Sequence, residues 1–72
     1  MLSDAEKMIL KLMSEKLLTT RSELVMSLEK EKHNGAEMGI QRLRNMGYIE
    51  KVESLGTCLV LTQKGQRALR EP

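Results

Sequence analysis

With 72 residues, 12 Lys and Arg against 10 Asp and Glu, and a net charge of +2, the chain holds one small domain and is close to neutral. The lone Cys58 excludes an internal disulfide framework and fits a reducing compartment; no apolar run approaches the ~20 residues of a membrane span, and Met1-Leu2-Ser3-Asp4 lacks the basic start and apolar stretch of a secretory signal, so a cytoplasmic protein is expected. Tyr48 is the only aromatic residue, which excludes the base-stacking mode of single-strand and RNA binders and leaves leucine and methionine to build the core.

The first helix is predicted to start at Ser3, where Ser3 and Glu6 have the Ser-x-x-Glu spacing of a capping box. Ala5, Met8, Ile9, Leu12 and Met13 then recur at helical spacing as one apolar face. The pattern fades at Lys16-Leu17-Leu18-Thr19, read as a short extended connection. Thr20 and Glu23 repeat the box at the start of a second helix, with Leu24, Val25 and Leu28 inward and His33 near its C-terminal end, where the helix dipole favours a cation.

A third helix is predicted from near Asn34, again with a glutamate, Glu37, three residues on. Ala36, Ile40 and Leu43 lie on its inner side. Gly39 among them costs about 1 kcal/mol relative to alanine, which close approach to another helix would explain. Gly47 ends it as a left-handed cap. Residues 48–52 read as a strand, Glu53-Ser54-Leu55-Gly56 as a tight turn with Gly56 at positive φ, and residues 57–61 as a second strand. Thr62 caps a last helix, from Gln63 to about Arg70, with Ala68 and Leu69 inward. The charge excess falls late: residues 1–34 carry 6 acidic and 6 basic side chains, residues 35–72 carry 4 and 6.

Three stretches carry a family likeness: Thr19-Thr20-Arg21-Ser22-Glu23-Leu24, then residues 40–49 running through Gly47, then Leu59-Val60-Leu61-Thr62-Gln63-Lys64-Gly65. In this order they resemble the winged-helix transcription regulators, in the general manner of the MarR-like families. The resemblance implies an α+β fold over residues 1–72 as a single domain: a small winged helix-turn-helix of three helices, a two-stranded β-wing and a C-terminal helix. It departs from the pattern at the wing, where the turn is short and Glu53 stands in place of Arg or Lys.

The function implied is sequence-specific binding of double-stranded DNA by a small transcriptional regulator, with the recognition helix (residues 35–46) in the major groove. Met38, Gln41, Arg42, Arg44 and Asn45 would face the DNA: the two amides would suit adenine edges, and the arginines guanine or phosphate. Thr20, Arg21 and Ser22 would meet the backbone at the start of the second helix, and Lys51 and Lys64 would reach flanking phosphates. So few cations bind weakly singly, and a homodimer reading two half-sites would answer that.

Plainer roles stand beside these. Thr20 serves as a helix cap, Cys58 as packing, His33 as a helix-end charge, and the charged face of the third helix as solvated surface. One His and one Cys make no zinc site, and neither a nucleophile–base set nor a phosphate-cradling glycine loop is present, so no enzyme, cofactor or metal is expected. The alternative function is a winged-helix protein-interaction module without DNA binding. The near-neutral charge, the acidic wing and a second strand apolar on both faces (Leu59 and Leu61, Cys58 and Val60) point that way.

Overall fold

The computed structural model describes residues 2–16, 18–53 and 58–70. Ser3 Oγ accepts the Glu6 N–H at 3.1 Å and Glu6 Oε1 accepts the Ser3 N–H at 2.8 Å, so both arms of the first box close. The helix that follows, α1, runs Asp4–Glu15. It packs against the three later helices and the second strand, which is why its buried arc is wider than one stripe. Leu10, outside the predicted stripe, is fully buried, and so is Glu6.

Helix α2 runs Arg21–Lys30. Thr20 Oγ1 accepts the Glu23 N–H at 3.1 Å, as expected of a cap. The reciprocal arm is replaced: Glu23 takes the Thr20 hydroxyl at 3.3 Å and Lys16 at 3.4 Å. The helix ends with His33 N–H on the Leu28 carbonyl and Lys32 N–H on that of Glu29, a Schellman pattern with Lys32 at φ 60 in the position that favours glycine.

Helix α3 runs Ala36–Asn45, and its start corrects the expectation at Asn34. Gly35, at φ 79, is the residue before the helix, and no side chain caps it. The turn out of α2 needs a second left-handed residue after Lys32, and glycine adopts that conformation without a Cβ penalty. Asn34 therefore stays in the turn, exposed. At the far end Gly47 takes φ 81, with Gly47 N–H on the Arg44 carbonyl and Tyr48 N–H on that of Leu43, the expected left-handed cap.

Strands β1 (Ile49–Val52) and β2 (Cys58–Leu61) pair antiparallel, with Ile49 opposite Leu61 and Lys51 opposite Leu59. Ser54, Leu55 and Gly56 of the expected turn, and Thr57, lie outside the described residues. On its other side β2 meets the α1–α2 connection: Thr19 and Leu59 exchange backbone hydrogen bonds of 2.7 and 3.4 Å. Val60, on the second apolar face of β2, is half-buried and shares a depression with Met13, Ser14 and Gln66.

Thr62 Oγ1 donates to the Gly47 carbonyl at 2.7 Å and accepts the Gly65 N–H at 3.1 Å, opening α4 (Gln63–Arg70). Gly65 sits directly on the Tyr48 carbonyl and on Leu61, leaving no room for a side chain. Ala68 packs on the core, but Leu69, expected inward, is 38% exposed: α4 packs against α1, with Gly65 and Ala68 on its inner side.

The result is a small α+β domain of four helices and a two-stranded antiparallel sheet, with a radius of gyration of 11.1 Å. Ile9, Leu10, Leu24, Leu28, Leu43 and Ile49 form the fully buried centre, with Ile40 and Leu59 at its margin. Among the described residues no helix is long and apolar enough to cross a membrane.

Candidate nucleic-acid interface

Helix α3 turns ~100° per residue, so its polar side chains divide among three directions. Ala36, Gly39, Ile40 and Leu43 are buried and fix the inner face. Gly39 faces α1 closely: a Cβ there would stand 3.0 Å from Ile9 Cδ1 and 3.4 Å from Glu6 Cγ. The remaining residues lie on two flanks and an outer stripe.

One flank faces α1. Arg42 Nη1 reaches Glu6 Oε1 at 3.3 Å, so this arginine is drawn back onto the fold and away from the outer face. The opposite flank carries Glu37, Gln41 and Arg44. These join Arg21 from the start of α2 and Lys51 from β1 around one groove of about 170 Å³, floored by Ile40 and Leu59. Four of the residues singled out in the sequence (Arg21, Gln41, Arg44 and Lys51) thus converge from three elements.

The groove carries three cations against one carboxylate. Arg21 Nη2 pairs with Glu37 Oε1 at 2.8 Å across its mouth, and both side chains remain well exposed. Glu37 is thereby accounted for by a partner on α2, not by a cap with Asn34. Lys51 pairs with Glu53 at 3.1 Å. Among the described residues Arg44 has no ion-pair partner. Exposed pairs of this kind are worth under about 1 kcal/mol, so Arg21 and Lys51 can exchange their carboxylates for another anion at small cost.

The outer stripe of α3 carries Met38, Gln41 and Asn45, all exposed, with Gln41 Nε2 donating to Asn45 Oδ1 at 3.4 Å. Ser22 is exposed beside Arg21, Val25 and Met26. Thr20 is half-buried, and both hydrogen-bonding functions of its hydroxyl are used within α2's first turn. Lys64 lies outside the groove: its Nζ donates to the Met46 carbonyl at 2.9 Å and sits 5.3 Å from the centre of the Tyr48 ring, at the C-terminal end of α3.

The ion pairs Glu6–Arg42 and Arg21–Glu37 were not visible in the sequence. Each joins two helices, and no local spacing announces such a contact. Comparison with protein-family models, curated proteins and solved structures returned no match.

Proposed function

We propose that this chain is a winged-helix domain that binds double-stranded DNA sequence-specifically, as a small transcriptional regulator of the MarR-like general type it resembles. The convergence of Arg21, Gln41, Arg44 and Lys51 around one groove beside α3 carries this proposal. A helix presented with cations on its flank suits the major groove, about 12 Å wide, between two phosphate strands. Arg21, Arg44 and Lys51 contact phosphate, Ser22 adds a donor, and the open N–H groups at the start of α2 favour the same anion. Thr20, Arg42 and Lys64 hold the elements that present this surface.

Three cations give modest affinity at physiological salt, and two copies on two half-sites would raise it. A titration of duplex DNA at several salt concentrations tests the proposal. The expected slope of log affinity against log salt is about −2.7 per protomer, and Arg44→Ala makes it shallower by about 1. No binding at low salt, or a slope and affinity indifferent to Arg44→Ala, overturns it.

The second reading is a winged-helix protein-interaction module with no DNA role. It is favoured by Met26 and Met38, 61% and 73% exposed, which flank the half-buried Val25 along α2 and the start of α3. Under it the duplex titration stays flat, and Met26→Ala abolishes capture of a protein partner.

A further inference from the structure

Met38, Gln41 and Asn45 are spaced three and then four residues apart, so they form one stripe along α3. Met38 is more exposed than any other large apolar residue among those described. The hydrogen bond from Gln41 Nε2 uses one lone pair of Asn45 Oδ1. It leaves Asn45 with an amide donor and an oxygen acceptor, the couple that complements N7 and N6–H₂ of adenine in the major groove. The arginines do not share this stripe. Arg42 is held by Glu6 on one flank, and Arg44 lines the groove on the other. Guanine is most often read by Arg or Lys, and neither stands here.

We propose that α3 reads an A·T-containing major groove. Asn45 pairs with an adenine edge, Gln41 is the positioning residue that orients the Asn45 amide, and Met38 packs on the C5-methyl group of thymine. This rests on the DNA binding proposed above. It adds which bases are chosen and by which side chains.

The test uses short duplexes of alternating A·T or alternating G·C, plus two A·T analogues altered only at the major-groove edge. Uracil in place of thymine removes the methyl group, and 7-deazaadenine in place of adenine removes the N7 acceptor. The wild type is expected to bind the A·T duplex about tenfold more tightly than the G·C duplex. Uracil should weaken wild type but not Met38→Ala, and 7-deazaadenine should weaken wild type but not Asn45→Ala. Gln41→Ala should blunt the response to 7-deazaadenine while the response to uracil persists, a split that a general disturbance of α3 would not produce.

Equal affinity for A·T and G·C overturns the assignment while leaving DNA binding intact. So does an A·T preference that survives both analogues in the wild type, because duplex shape is then its source. Failure to bind either duplex at low salt overturns the DNA function and this assignment together.

Discussion

Glu6 Oε1 receives both the Ser3 N–H, at 2.8 Å, and the Arg42 guanidinium, at 3.3 Å. Glu6 is 1% exposed, and its second oxygen, Oε2, is buried without a partner. The carboxylate has therefore given up water for two donors on one oxygen, and Arg42 supplies its only counter-charge among the described residues. An arginine on the helix that carries the candidate interface serves instead to hold that helix against α1.

Arg42 and Arg44 should separate cleanly on substitution. Arg42→Ala leaves a buried carboxylate unpaired, and the full cost of breaking such a pair is discounted here because the Arg42 side chain is 55% exposed. The expected loss is about 1–2 kcal/mol in thermal or denaturant unfolding. Adding Glu6→Gln to that variant should restore about 1 kcal/mol, since the uncompensated charge is gone. Arg44→Ala should leave stability within about 0.5 kcal/mol of wild type. Equal stability losses for the two arginines, or no coupling between positions 6 and 42, would contradict the arrangement.

Two glycines should respond very differently to alanine. At Gly65 the added Cβ runs into the Tyr48 carbonyl oxygen, and the backbone at Tyr48 and α4 must part to admit it. Gly65→Ala should cost about 3 kcal/mol, visible as a lower denaturant midpoint. At Gly39 the tight neighbour is the terminal Ile9 Cδ1 at 3.0 Å, which need give only a few tenths of an ångström. Glu6 Cγ at 3.4 Å is at the edge of ordinary contact, and alanine gains about 1 kcal/mol of helix propensity. Gly39→Ala should stay within about 1 kcal/mol of wild type. A larger loss at Gly39 than at Gly65 would show that α1 and α3 meet more tightly than α4 meets the Tyr48 backbone.

Lys32 holds a left-handed backbone at φ 60, a conformation that costs an L-residue about 1–2 kcal/mol. Part of that returns on replacement by glycine, offset by the greater freedom of glycine in the unfolded chain. Lys32→Gly should stabilise the protein by about 0.5–1 kcal/mol. A fall in melting temperature would show that the Lys32 side chain makes a favourable contact that outweighs the strain.

The caps give a paired test of the corrected boundary. Thr20→Ala removes the acceptor for the Glu23 N–H and should cost about 1 kcal/mol. Asn34→Ala removes no cap of α3 and should cost less than about 0.5 kcal/mol. Amide exchange at the first turns of α2 and α3 would read each effect locally.

What the sequence revealed was local. The Ser3–Glu6 box and the Gly47 cap each close within a few residues, so spacing alone suffices to predict them. The Leu59–Gly65 stretch carries the family likeness in sequence, but the reason for Gly65, its seating on the Tyr48 carbonyl, lies in the packing. Asn34 and Gly35 are both competent before a helix, and the left-handed turn after Lys32 decides between them. The sorting of α3 into flanks was not legible. Arg42 and Arg44 lie two positions apart and therefore face nearly opposite ways, but which way meets α1 depends on the packing at Gly39.

The bridge between Thr19 and Leu59 bears on how the chain behaves in a crowd. Cys58-Leu59-Val60-Leu61 is the kind of short apolar strand that templates aggregation when its backbone is left open. Here β1 occupies one side of it, and Thr19 takes both backbone groups of Leu59 on the other. The strand at the margin is instead β1, with Glu50 and Lys51 in its middle. Charge therefore sits where another chain would try to add, and two copies of this protein would have to meet through side chains, not by extending the sheet across β2.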